Sequence, residues 1–189
     1  MFWIFFSNLL LLSAFLKGGL TGVMAPANLI SSDDKASCVK EIKEFTVRGG
    51  SMTDLINQGE KVKILFGFYD CNEIARGDVV AYDYKGNSNL IIKSVKGLPG
   101  DHFKIIEDQG DAGAIIEING ETVSNSKEEP YSLDEQEKKM IALYEKDYEG
   151  VIPPNSYLIL GNLASGSIDS TRFGLVNKKE IAGKVLKQY

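Results

Sequence analysis

Hydrophobic and polar positions alternate with a period of two along most of the chain beyond residue 40, which is the pattern of half-buried β-strands. The pattern predicts strands at 42–48, 62–68, 78–84, 90–97, 102–107, 114–118, 156–162 and 180–189. Only 133–146 has a strong helical pattern, with Met140, Ile141, Leu143 and Tyr144 facing inward. The sequence therefore predicts a mainly β fold of barrel-like or folded sheets with one small helical insertion.

The N-terminus departs from this alternation, because the stretch MFWIFFSNLLLLSAFL is almost wholly apolar and uncharged. As a helix it reaches about 24 Å, so it spans a bilayer core of about 30 Å only if the apolar run continues past Lys17. We expect a membrane anchor over 1–30 and a polar linker over 31–40. A cleaved signal peptide ending near Ala25-Pro26-Ala27 and an anchor that begins upstream stay open as alternatives. A buried core helix fits this aromatic-rich terminus poorly.

The composition excludes several classes of function. The chain has 189 residues and a formal net charge of -5, whereas a nucleic-acid-binding protein carries a basic face. One histidine and two cysteines without a C-x-x-C pair form no zinc site. We expect no metal, no cofactor and no nucleic-acid partner.

The two cysteines, Cys38 and Cys71, can pair in an oxidising compartment. If the first two strands run antiparallel with Val47 opposite Val62, then Cys38 and Cys71 also face each other. The alternative is that both are buried small hydrophobic residues.

Ser51, in the loop sequence RGGSMTDL, is a candidate nucleophile that needs a base to remove its proton. The one histidine, His102, has no surroundings that support a Ser-His-Asp triad, so we expect it to be structural or exposed. A lysine can serve instead if burial among apolar side chains lowers its pKa.

The strand LIIKSVKG contains two such lysines, Lys93 and Lys96, which point to opposite faces because three positions separate them. Lys93 lies between Ile91 and Val95 and is the better desolvated of the two. The alternative is that both lysines protect a strand edge from aggregation. The residues alone leave this choice open.

Three stretches, in this order, resemble boxes of the type I signal peptidases, serine/lysine-dyad enzymes that cleave signal peptides from exported proteins. GGSM at 49–52 is similar to the nucleophile box. RGDVVAYDY followed by LIIKSVKGLPGD, within 76–101, is similar to the RGD strand and the K-R-x-x-G-x-P-G-D box. LGNLASGSIDSTRFGLV at 160–176 is similar to the G-D-N-x-x-x-S-x-D-S-R-x-x-G-x-V box. The resemblance implies the antiparallel sheets of that family and a catalytic domain over 41–189.

The resemblance implies roles for individual residues. Ser51 corresponds to the nucleophile, and Lys93, which heads the box, corresponds to the general base, whereas Lys96 does not. Gly49 has no side-chain hydroxyl for the oxyanion, so the oxyanion hole is expected to use backbone N–H groups, that of Ser51 among them.

Three further residues correspond to supporting positions. Ser167 corresponds to a serine that orients the lysine amine, Asp169 to an acidic residue that structures the site, and Met52 to a residue under the substrate-binding region.

Departures from the family pattern affect the supporting residues. Ser94 stands where an arginine follows the base, Asn162 where an aspartate is usual, and Thr171 where an arginine often pairs with the equivalent of Asp169, although Arg172 follows. These changes put supporting salt bridges in doubt and leave the dyad intact.

The resemblance implies a single-pass enzyme of the cell membrane, with its catalytic domain on the extracytoplasmic face. The implied partners are the signal peptides of preproteins, cut after small residues in an Ala-x-Ala pattern, and membrane lipid, and we expect a monomer. A specialised relative that processes pilins in conjugative transfer has the same dyad. A self-cleaving regulator also uses Ser and Lys, but it needs a DNA-binding domain and a cleavable hinge. A membrane-tethered β domain without turnover is the third alternative.

Overall fold

The computed structural model describes residues 38–86, 90–107 and 113–188. The strands are β1 (Glu41–Thr46), β2 (Lys61–Phe66), β3 (Val79–Asp83), β4 (Leu90–Gly97), β5 (Phe103–Glu107), β6 (Ala114–Ile118), β7 (Glu121–Thr122), β8 (Ser132–Leu133), β9 (Ser156–Leu160), β10 (Val176–Asn177) and β11 (Ile181–Lys187). The helices are α1 (Glu135–Asp147) and α2 (Ser170–Phe173). The predicted anchor over 1–30 and most of the predicted linker over 31–40 lie outside the described residues. Neither α1 nor α2 combines the length and the apolar content that a membrane-spanning helix needs.

Two antiparallel sheets form this part of the chain. The larger has the strand order β1-β2-β11-β3-β4-β9-β10, and the smaller has the order β5-β6-β7 with β8 also paired to β6. The predicted mainly β fold with one small helix, α1, is confirmed. The alternation of hydrophobic and polar positions does not predict β7, β8, β10 or the four-residue helix α2. Elements this short contain too few positions to show a period.

The strand β9 connects the hydrophobic cores of the two sheets. Its residues Leu158 and Leu160 pack in the core between the small sheet and α1, while Tyr157 and Ile159 pack in the core beneath β3 and β4. Since alternate side chains of a strand point to opposite faces, both faces of β9 are buried. The end of β9 is therefore a rigid place from which to position polar groups.

The helix α1 begins at Asp134, which accepts hydrogen bonds from two backbone N–H groups of the first turn, while Glu137 returns a bond to the Asp134 N–H. Ile141 is buried against the small sheet. The prediction that Leu143 faces inward is wrong, since its side chain is 56% exposed. Two helical positions rotate a side chain by about 200°, which places Leu143 on the face opposite Ile141.

The register between β1 and β2 differs from the predicted one. Phe45 lies opposite Val62, two residues away from the predicted pairing of Val47 with Val62. A shift of two residues keeps every side chain on its face, so the hydrophobic pattern does not distinguish the two registers.

Cys38 and Cys71 are joined by a disulfide, with their Cα atoms 6.0 Å apart. They are not ladder partners, because the short 3-10 helix Phe68–Asp70 separates β2 from Cys71. Gly67 opens this 3-10 helix with φ 77°, and a Cβ at that position would lie 2.9 Å from the Cys38 carbonyl oxygen. The approach of the two cysteines therefore depends on a glycine at 67.

We expect replacement of both Cys38 and Cys71 by serine to lower the free energy of unfolding by about 2–4 kcal/mol, because the bond restricts the unfolded chain. Denaturant unfolding of the wild type and the double variant measures the difference. Mass spectrometry of protein purified from its native membrane provides the control, and two free thiols there would contradict the disulfide.

Candidate active site

Ser51 lies between β1 and β2, in a turn formed by residues 49–56 (the Ser51 turn). Gly49 begins it with φ 82°, a left-handed conformation that favours glycine. Met52 and Ile56 are buried in the core beneath the turn. These two anchors leave Ser51 half-buried above that core.

The amine of Lys93 reaches Ser51 from β4. Lys93 Nζ lies 2.7 Å from Ser51 Oγ, and only 3% of the lysine is exposed. Burial lowers the pKa of Lys93 to about 8, although the negative charge of Asp169 acts in the opposite direction. A neutral lysine at this distance can accept the serine proton.

Lys96 points away from Ser51, as the strand geometry predicts. Its Nζ donates to the Ser124 carbonyl oxygen at 2.7 Å and lies 5.5 Å from the centre of the Tyr131 ring. Burial lowers the pKa of Lys96 as well. The contacts of Lys96 are with the segment that precedes β8, so this lysine supports the small sheet.

Asp169 is buried at the start of α2, and both of its carboxylate oxygens accept hydrogen bonds. Oδ2 accepts the backbone N–H of Gly161 at 2.8 Å. Oδ1 accepts the backbone N–H of Thr171 at 3.0 Å and lies 2.9 Å from the Thr171 hydroxyl. Asp169 thus connects α2 to the end of β9 and places its charge where it raises the pKa of Lys93.

Ser167 is buried beside Gly161, but its Oγ has no hydrogen-bond partner among the described residues. A Cβ at Gly161 would collide with Ser167 and would lie 2.8 Å from the Ser51 carbonyl oxygen. Position 161 therefore requires glycine. The orienting role of Ser167 toward Lys93 stays a prediction.

Arg172 does not pair with Asp169. Its guanidinium bonds Asp134 at 2.6 Å and the buried carboxylate of Glu137 at 2.9 Å. The Thr171 hydroxyl contacts Asp169 in place of an arginine. Arg172 therefore joins α2 to the start of α1 through two ion pairs.

The two ends of the RGD–GLPGD region are joined by an ion pair. Arg76 donates to both carboxylate oxygens of Asp101, at 2.7 and 2.8 Å, and to the Lys96 carbonyl oxygen. Burial alone would raise the pKa of Asp101, but hydrogen bonds from the Leu98 backbone and from the Arg76 and Asn119 side chains hold it below its usual value. The pair fixes the end of β4, the strand that carries Lys93.

One further contact of Ser51 comes from a residue to which the sequence assigned no role. The backbone N–H of Asn162 donates to the Ser51 carbonyl oxygen at 2.6 Å. The only sequence signal at this position is an asparagine where an aspartate is usual.

His102 is exposed, as predicted, and lines an open groove beside α1. In the described part of the chain, no group of three or more histidine, cysteine, aspartate or glutamate side chains is placed to hold a metal ion. Ser51 itself contacts the Lys93 amine and the Asn162 backbone N–H.

The chain is similar to several known proteins. The sequence profile described as "Signal peptidase, peptidase S26" matches residues 34–189. Signal peptidase IB of Staphylococcus aureus is 30% identical over 155 residues, which cover 76% of this chain and 75% of the relative. Signal peptidase I of Bacillus licheniformis is 32% identical over 144 residues, which cover 74% of this chain and 72% of the relative. A crystal structure of a signal peptidase I from Enterococcus faecalis is 24% identical, covers 60% of this chain and 97% of that chain, and superposes with a TM-score of 0.40. Because the profile matches most of the chain, the protein is a peptidase of the S26 signal peptidase family.

Proposed function

We propose that this protein is a membrane-bound serine endopeptidase that removes signal peptides from exported preproteins, with Ser51 as the nucleophile and Lys93 as the general base. The proposal is carried by the 2.7 Å contact between Lys93 Nζ and Ser51 Oγ at a lysine that is almost fully buried. Membership of the family supplies the reaction class, which is hydrolysis of a peptide bond.

The reaction begins when neutral Lys93 accepts the Ser51 proton while Ser51 Oγ attacks the scissile carbonyl carbon. Backbone N–H groups of the Ser51 turn, that of Ser51 among them, stabilise the oxyanion of the tetrahedral intermediate. The charged lysine then donates its proton to the leaving amine, and an acyl-enzyme remains. Lys93 next accepts a proton from water, whose oxygen attacks the ester carbon. The bond to Ser51 Oγ then breaks, Lys93 returns the proton to Ser51 Oγ, and the new carboxyl terminus is released.

The strands beside Ser51 offer edges for an extended peptide. Among the described strands, β1 is the terminal one of the large sheet, and the first half of β4 pairs with β3 alone, since pairing with β9 starts at Ser94. A peptide strand can bond to such edges through its main chain and place alternate side chains in pockets. Partly buried Phe45, Leu90 and Ile92 pack around the same core as Met52. Apolar walls of this kind suit the small residues of an Ala-x-Ala substrate.

The apolar segment at 1–30 is proposed to anchor the enzyme in the cell membrane by a single pass. The domain that carries Ser51 then lies on the extracytoplasmic face, where preproteins emerge. A monomer suffices for this function, because Ser51 and Lys93 belong to one chain.

We expect kcat/KM to rise with pH through a midpoint near the Lys93 pKa of about 8, because only the neutral lysine can accept the Ser51 proton. Below the midpoint the rate should fall about tenfold per pH unit. A pH profile of peptide cleavage measures this, and a profile that stays flat far below the midpoint would point to another base.

The variant Asp169→Asn provides a control for the electrostatic part of this expectation. It removes a negative charge that raises the pKa of Lys93, so the midpoint should move to lower pH, whatever happens to the maximal rate. A midpoint that moves upward would contradict the assignment of Lys93 as the titrating group.

We expect Ser51→Ala and Lys93→Ala each to lower preprotein cleavage by about a thousandfold or more, since removal of either partner of a catalytic unit stops the reaction. Lys96→Ala, on the same strand but bonded to Ser124, should keep most of the activity. Cleavage of a purified preprotein in detergent measures all three.

Full activity in Lys93→Ala would refute the dyad. Failure of an activated serine probe to label Ser51 in the wild type would instead indicate a domain without turnover. A substrate panel of exported preproteins and pilin precursors separates the general enzyme from a specialised relative.

A further inference from the structure

The side chain of Asn162 occupies a buried position between the Ser51 turn and a second turn. The second turn, at 125–129, lies between β7 and β8 of the small sheet. Asn162 follows β9 and Gly161, and only 3% of it is exposed. Two segments that are distant in sequence therefore meet on one amide group.

Asn162 makes hydrogen bonds to both turns. Its backbone N–H donates to the Ser51 carbonyl oxygen at 2.6 Å, and its Nδ2 donates to the Thr53 carbonyl oxygen at 2.7 Å. Nδ2 also donates to Ser126 Oγ at 2.8 Å, while Oδ1 accepts the Ser126 backbone N–H at 3.1 Å. The two carbonyl groups on either side of Met52 are thus both held by one residue.

The chemistry of these contacts requires an amide. The reversed orientation would place Oδ1 against the Thr53 carbonyl oxygen and Nδ2 against the Ser126 N–H, so the hydrogen-bond network selects the observed one. An ionised aspartate has no donor and would place a carboxylate against the Thr53 carbonyl. Asparagine at a position where relatives usually have aspartate is therefore not a neutral exchange in this chain.

The other ties of the Ser51 turn are weaker or local. The Thr53 hydroxyl donates to the Gly50 carbonyl oxygen at 2.6 Å, a bond within the turn itself. Lys127 and Asp54 form an ion pair of 2.7 Å, but both side chains are largely exposed, so water and salt weaken it. Lys187 of β11 donates to the Leu55 carbonyl oxygen at 3.3 Å, near the other end of the turn. Beside Ser51 itself, the bonds of Asn162 hold the backbone carbonyl groups of Ser51 and Thr53.

We propose that Asn162 is a positioning residue, whose side chain ties the Ser51 turn to the turn at 125–129 and so holds Ser51 Oγ within reach of Lys93 Nζ. The inference rests on the proposed role of Ser51 as the nucleophile. It adds a requirement for an amide donor at 162 that the dyad alone does not contain.

The test compares Asn162→Ala with the wild type in kcat, KM and pH profile. We expect kcat per folded molecule to fall between about tenfold and a hundredfold, because a small displacement of a reacting group is costly. KM should change little, and the pH midpoint should stay in place, because Lys93 itself keeps its surroundings. A purely structural role would lower the unfolding temperature without this change in kcat.

Asn177→Ala is the control. The Asn177 side chain accepts a hydrogen bond from the Lys179 backbone N–H at 3.1 Å, but it lies in β10, away from the Ser51 turn. It should lose stability with unchanged kcat. An equal fall of kcat in both variants, or a kcat of Asn162→Ala within twofold of the wild type, would overturn the inference and leave the dyad proposal standing.

The variant Asn162→Asp tests the need for a donor. Its kcat relative to the wild type should rise as the pH falls, because a protonated carboxyl group can donate to the Thr53 carbonyl oxygen. A ratio that does not change with pH would contradict the donor requirement.

Hydrogen exchange of the amides at 51–56 decides the same question without turnover, and therefore separately from the proposed function. Protection should fall in Asn162→Ala and stay unchanged in Asn177→Ala. Unchanged protection in Asn162→Ala would overturn the inference even if the chain cleaved no substrate.

Discussion

Burial of the Lys93 amine is the constraint on which the site depends. The shift of its pKa from 10.5 to about 8 corresponds to about 3 kcal/mol at about 1.36 kcal/mol per unit. Below pH 8 the lysine is charged in both the folded and the unfolded chain, so the whole cost of burial is present. Between the two pKa values the unfolded chain binds more protons, so stability rises with pH. The proposed base therefore still destabilises the fold at the pH at which half of it becomes neutral.

Backbone pairing of the strand that carries the lysine offsets part of this cost. β4 pairs with β3 along one edge and, from Ser94 onward, with β9 along the other, and the Arg76–Asp101 pair fixes its end. Asp169 counteracts part of the burial, because its charge stabilises the protonated amine. The pKa of Lys93 is thus a balance between apolar packing, which lowers it, and one buried carboxylate, which raises it.

The sequence predicts the parts of this arrangement that follow a local rule. Strand periodicity locates β4, and the opposite directions of Lys93 and Lys96 follow from strand geometry alone. The register of β1 on β2 is two residues away from the predicted one, because a period of two cannot detect such a slip. The contacts of Asn162 and the pairing of Arg172 with Glu137 depend on segments far apart in sequence. No local pattern encodes them, so they emerge only from the folded chain.

The departures from the family pattern form one consistent change. Ser94 pairs across the β4–β9 ladder with Leu160, which precedes Asn162 by two residues. The side chains of Ser94 and Asn162 are both buried. An arginine or an aspartate alone at either position would be a buried charge without a partner, which is costly. Serine and asparagine together remove both charges, and the amide of Asn162 is then free to bind neutral carbonyl groups of the Ser51 turn. The same logic applies at Thr171, whose hydroxyl meets Asp169 without adding a cation. Asp169 therefore remains the negative charge that raises the pKa of Lys93 against the effect of burial. An arginine beside Asp169 would partly cancel that charge and so lower the pKa of Lys93 further.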